Sequence, residues 1–136
     1  MLKWSEDYKI GVLEIDNEHK DIIMRFEKLY SLMREGSGHE YYSEILLFLD
    51  DYINTHFSHE ESLQKQINYP DYENHKKIHK AFSDDVIKMT KTKSNSPITN
   101  DDLIRLNLFV KNWLLNHILI EDKKIGEYLK NTDISD

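Results

Sequence analysis

The stretch His56-Phe57-Ser58-His59-Glu60-Glu61, with His75-Lys76-Lys77-Ile78-His79 after it, places four of the chain's seven histidines within 24 residues. Residues four apart on an α-helix project about 40° from one another, so His56 with Glu60, and His75 with His79, can each grip a single point. Two helices then offer three imidazoles and a carboxylate, the usual donor set for iron, zinc or manganese. A lone HxxxH arises often by chance; two such pairs on consecutive helices point to a metal site.

Around this stretch the apolar residues recur at helical spacing. Ile22, Ile23, Phe26, Leu29, Tyr30 and Met33 form one stripe, opened by Asp16 as a candidate N-cap and stopped by Gly36-Ser37-Gly38. Tyr42, Ile45, Leu46, Leu49, Ile53, His56, Glu60, Leu63 and Ile67 form the second stripe, which ends at Asn68-Tyr69-Pro70. Tyr72, His75, His79, Phe82, Val86 and Met89 form the third. Lys91 to Asn100 reads as a loop, and Thr99 with Asp102 as a capping box ahead of a fourth stripe through Leu103, Leu106, Val110 and His117. Ile125, Tyr128 and Leu129 suggest a half-buried last turn. The expected fold is all-α: an up-down-up-down four-helix bundle in a single domain over 1–136. An N-terminal arm covers residues 1–15, and helices cover about 17–36, 40–67, 70–92 and 100–123.

With 18 basic and 25 acidic side chains the net charge is −7, which repels phosphate backbones and anionic lipid, so neither nucleic acid nor membrane is an expected partner. The absence of cysteine excludes disulfides, iron–sulfur clusters and thiol catalysis, and leaves nitrogen and oxygen to hold any metal. No apolar run approaches the ~20 residues of a membrane span, and the opening residues carry no apolar signal segment. A soluble, cytoplasmic monomer is the expectation.

Each of the four helices carries a histidine on its core stripe: His19, His56, His75 with His79, and His117. His19 lies 18 residues before Ser37 and His56 lies 19 after it, so these two meet at one depth of an antiparallel pair. Five imidazoles exceed what one ion takes from a protein and point to two metals. Suppose two octahedral ions share Glu60, a second carboxylate and one oxygen from solvent. Five nitrogens, four carboxylate oxygens and two bonds to the shared oxygen then leave a single position open. Histidine-rich coordination of this kind favours a resting ferrous pair. The second carboxylate comes from helix four, where a regular helix puts Glu121 about 40° and Asp122 about 140° from His117. Geometry alone therefore prefers Glu121.

The residues resemble the hemerythrin family, most closely its bacterial single-domain members. The matching elements are Trp4-x3-Tyr8-x2-Gly11-Val12-x2-Ile15-Asp16-x2-His19-Lys20, then His56-Phe57-x2-Glu60-Glu61, then Tyr69-Pro70-x4-His75-x3-His79-x2-Phe82, then Trp113-x3-His117-x4-Asp122. The resemblance implies reversible O2 binding, without enzymatic turnover, at a non-haem di-iron centre with a bridging oxo or hydroxo group. It implies one iron held by His75, His79 and His117, the other by His19 and His56, and Glu60 and Asp122 bridging. O2 is then expected at the His19/His56 iron. Because the family pattern selects Asp122 over Glu121, a π-bulge between His117 and Asp122 is expected. Leu115, Ile118 and Phe57 are expected to line the O2 pocket. His59 and His39 match no ligand position and are expected near or on the surface; Glu18 receives no role.

The rival classes are a di-iron oxidase or peroxidase, an O2 or NO sensor, and an iron reservoir. Ferritin-like oxidases use carboxylate-rich sites with ExxH pairs, and this chain has no ExxH; HExxH of zinc hydrolases is absent too.

Overall fold

The computed structural model describes residues 3–92 and 97–132, and it is helical throughout, with no strand among the described residues. A 3-10 turn at Glu6–Tyr8 belongs to the arm. Four bundle helices follow: α1 (Leu13–Arg34), α2 (Gly38–Gln66), α3 (Tyr72–Thr92) and α4 (Asn100–Asn116). The fourth runs on through a π-helical segment, His117–Asp122, into α5 (Lys123–Lys130). α1 packs on α2 and α4, and α2 on α3, the neighbours of an up-down-up-down bundle.

Local chemistry sets the boundaries. α1 stops where Gly36 takes φ +81°, with the Ser37 N–H reaching back to the Leu32 carbonyl at 2.8 Å, and α2 stops in the same way at Asn68, φ +56°, with Tyr69 N–H on Gln64 O at 2.8 Å. Both are left-handed closures that satisfy otherwise orphaned carbonyls. The Thr99–Asp102 capping box forms in both directions, at 2.9 and 3.2 Å. Of the expected Lys91–Asn100 loop, residues 93–96 lie outside the described residues.

Asp16 is not the N-cap. α1 already begins at Leu13, and the Asp16 side chain points back out of its first turn to accept the N–H of Ile10 at 2.8 Å and of Gly11 at 3.3 Å. The arm folds over the helix start, and the carboxylate satisfies the arm's backbone rather than its own helix. The last turn is also longer than expected, since α5 gives two turns beyond the π segment.

The core divides into two apolar clusters. The larger runs from Ile22, Phe26 and Leu29 through Ile45, Leu49, Phe82, Leu106 and Leu114; the smaller joins Ile67 and Tyr69 to Ile125. Tyr128 closes the smaller one, its ring edge-on to Tyr69 and its hydroxyl donating to the Ile67 carbonyl at 3.3 Å. Between the clusters lies a buried layer of charged and polar side chains.

Gly126 of α5 is where the arm meets the end of the bundle. A Cβ there collides with the Ile10 carbonyl oxygen and lies 3.0 Å from the Ile10 carbonyl carbon, so backbone itself must give way. Gly126→Ala is expected to lower stability by about 1–3 kcal/mol in urea unfolding, with faster amide exchange at Ile10 and Gly11.

Candidate metal centre

The polar layer is built by helical register. On α2, His56, Glu60 and Gln64 succeed one another at four-residue spacing and all are buried. α3 adds His75 and His79, one turn apart; α1 adds His19; the π segment adds His117 and Asp122. All seven residues singled out by motif come together. The π segment decides between the two carboxylates of helix four. By widening the turn to an i→i+5 repeat it returns residue 122 to the side of residue 117. Asp122 is fully buried among imidazoles, whereas Glu121 is half-buried and pairs with Lys124 at its edge, Nζ–Oε1 3.5 Å.

The donor atoms separate into two sets. Glu60 Oε1 faces Nε2 of His75 and His79, both at 3.1 Å, and of His117 at 3.8 Å. Its Oε2 faces Nε2 of His19 at 3.1 Å and of His56 at 2.8 Å. Asp122 repeats the division: Oδ1 lies 3.0 Å from both His75 and His117, and Oδ2 lies 3.0 Å from His19. Glu60 thus turns one oxygen to three imidazoles and the other to two, Asp122 turns one to two of the same three and the other to His19, and within each set the donors all lie within 4.8 Å of one another. Neighbouring donors around an octahedral ion with bonds of roughly 2.1 Å lie about 3.0 Å apart. The spacing, the donor chemistry and the burial all fit two cations.

Charge on the metal-free site follows from the same geometry. Burial works against a charged His19, but the Asp122 and Glu60 carboxylates outweigh it and push its pKa up from 6.5 to about 10; His75 behaves alike. Burial likewise works against ionised Glu60, and against ionised Asp122 together with Glu60's own charge. The surrounding imidazoles nevertheless hold both carboxyls well below the usual carboxylate range. Protons on the imidazoles occupy the role that cations fill.

Around the donors, two carboxylates orient two rings. Glu18 accepts Nδ1–H of His56 at 2.8 Å, and Glu61 accepts Nδ1–H of His79 at 2.9 Å, which leaves each Nε2 lone pair aimed inward. Flat aromatic contacts hold the rings as well: Trp113 on His117 at 4.3 Å, Phe57 on His79 at 3.8 Å and Tyr52 on His56 at 4.6 Å. Motif reading missed Glu18 and Glu61 as partners; their adjacency to His19 and Glu60 was the available signal. His59 is near the surface, its Nδ1 2.6 Å from the other oxygen of Glu18, and His39 is exposed. Leu115 and Ile118 surround an apolar gap too small to hold a water molecule, together with Tyr8, Ile23 and Leu114. Phe57 lies flat on His79 at 3.8 Å and tilted against His56 at 5.9 Å, next to both sets of imidazoles.

Gln64 was also missed. It is fully buried one turn beyond Glu60, and neither amide atom meets a hydrogen-bond partner among the described residues. An unsatisfied buried amide is a standing cost. Gln64→Met, which keeps the side-chain length, is expected to raise the stability of the metal-free protein by about 1–3 kcal/mol in urea unfolding.

Known proteins agree with this arrangement. The family model described as "Hemerythrin HHE cation binding domain" matches residues 11–129. Among similar proteins, a bacteriohemerythrin of Pseudomonas aeruginosa is 32% identical over 121 residues, covering 89% of this chain and 76% of its own. Bacteriohemerythrins of Stenotrophomonas maltophilia and Clostridium acetobutylicum are each 28% identical, covering 96% and 91% of this chain and 82% and 98% of their own. With the family match spanning the bundle and all seven clustered side chains, this chain belongs to the hemerythrin HHE cation-binding domain family.

Proposed function

We propose that this protein binds O2 reversibly at a pair of iron ions, with His75, His79 and His117 holding one, His19 and His56 the other, and Glu60 and Asp122 spanning both. The observation that carries the reading is the unequal division of imidazoles about two shared carboxylates. With equal coordination numbers, the two-imidazole half is one protein donor short. When bound, ferrous ions supply the open position and the electrons that hold a small ligand.

The chain's own groups favour holding over turnover. Glu18 and Glu61 fix the orientation of His56 and His79, so the donor set is preorganised. Ile23, Leu114, Leu115 and Ile118 pack with Tyr8 around a gap too small for water, so this flank of the bundle is apolar and dry. The names of the relatives agree with this reading. No helix among the described residues is long and apolar enough to cross a membrane.

The test is anaerobic reconstitution with ferrous iron, metal analysis, and visible spectra on exposure to air and then to vacuum. Two irons per chain and a colour that appears and reverses are the expected results. One iron per chain, or colour that bleaches as peroxide is consumed, overturns the reading.

Protonation supplies a second check. The raised folded pKa of His19 and His75 gives a stabilisation complete below 6.5 and lost as pH climbs toward 10. The depressed Glu60 and Asp122 stabilise above their ordinary values of 4.5 and 3.8, and this is lost as pH falls through and below those values. Scanning calorimetry of the metal-free protein should therefore show Tm highest between 4.5 and 6.5 and falling on the alkaline side. The iron-loaded protein, whose imidazoles are neutral ligands, should lose that alkaline decline.

A further inference from the structure

The two carboxylates of the site arrive from one end of the bundle. Glu60 follows His56 by one turn of α2, and Asp122 follows His117 by one π turn. The opposite end of the same stripes, allowing for the antiparallel run of α1, carries Ile22 three residues after His19, Tyr52 four before His56 and Leu114 three before His117. These three side chains are buried together with Ile118 in the larger apolar cluster. Tyr52 alone among them has a polar atom in its side chain. Its ring lies over the His56 imidazole at 4.6 Å and 25°, and against Phe48 at 5.7 Å. Its hydroxyl is shielded from solvent and meets no hydrogen-bond partner among the described residues. A buried phenol normally finds a partner. Placed beside the imidazole pair that is one donor short, on the side the carboxylates leave free, it has a candidate partner: whatever ligand occupies that side.

We propose that Tyr52 donates its phenolic hydrogen to the small ligand seated at the His19/His56 half of the site, and so favours ligands whose outer atom carries or gains negative charge. The inference rests on the function proposed above. A phenol keeps its proton near neutral pH, so the group acts as a donor. Ile22, Leu114 and Ile118 offer no competing acceptor, so the hydroxyl remains available to the ligand. Hydrogen bonds onto charged acceptors are stronger than neutral ones, so the contact discriminates by charge as well as by size.

The experiment compares wild type with Tyr52→Phe after loading with iron and oxidation, using azide as the probe. Azide is titrated by visible absorption, and the stretching band of the bound anion is recorded in H2O and D2O. The phenylalanine variant is expected to bind azide about tenfold more weakly and to lose a D2O-sensitive shift that wild type shows. The metal-free variant is expected to melt no lower than metal-free wild type, because a hydroxyl without a partner in the chain contributes nothing to folding. Equal azide affinity with the same isotope shift overturns the proposal. So does a lower melting temperature of the metal-free variant, which places the hydroxyl's partner inside the protein. If wild type itself takes up two irons and binds O2 and azide while the variant matches it, this inference alone falls. If wild type binds neither, the functional reading falls and takes the inference with it.

Discussion

Two fully buried carboxylates, Glu60 and Asp122, face five buried imidazoles, and the rest of the structure is arranged to make that encounter possible. An isolated ionised carboxylate in a protein interior costs far more than one domain's net stability, so neither residue can stand there without compensating positive charge. Protons on the imidazoles supply it in the metal-free chain. They are an imperfect answer: His79 and His117 point Nε2 at Nε2 across 3.0 Å, a contact that tolerates one proton between them and not two. Two divalent cations satisfy all of these atoms at once. The apolar clusters on either side supply the folding energy that the polar layer does not. The bundle is in this sense two hydrophobic cores holding a site apart from water.

Helical pitch imposes the second constraint. Ligands four residues apart, such as His56 with Glu60 and His75 with His79, need nothing beyond a regular α-helix. His117 and Asp122 are five apart, and a regular helix would send them to different sides. The chain adopts π geometry over six residues, and the cost is confined to one turn flanked by α4 and α5. That turn also re-aims α5, so that Ile125 and Tyr128 close over the α2–α3 connection and Gly126 receives the arm. A local departure made for the site thus organises that end of the molecule.

What could be read from residues alone follows a physical division. Periodicity exposed the helices, because burial on one face repeats with the helix itself. Gly36 and the Thr99–Asp102 pair marked boundaries, because their action is local. The π turn was foreseen through family resemblance; spacing by itself preferred Glu121, since nothing in a short stretch of sequence announces a change of pitch. Asp16 was misread as a cap because its partners, Ile10 and Gly11, reach it only when the arm folds back. Glu18 and Glu61 were passed over for a similar reason. Their targets are 38 and 18 residues away, and only the rotation of the packed helices brings carboxylate and imidazole together.

The oriented rings distribute themselves unevenly, and the distribution bears on function. His56 in the two-imidazole set and His79 in the three-imidazole set each donate Nδ1–H to a carboxylate, while Nδ1 of His19, His75 and His117 is buried without a partner among the described residues. A carboxylate behind an imidazole raises its strength as a donor. Each half of the site therefore contains one strengthened ligand, both projecting from the side of the bundle where α2 meets its neighbours. The difference between the halves then comes from number, three rings against two, and from what lies beyond them. Phe57 and Trp113 press flat on the three-ring side, whereas the two-ring side has Tyr52 with an uncommitted hydroxyl. The asymmetry between the two halves is built by the apolar and aromatic residues as much as by the imidazoles.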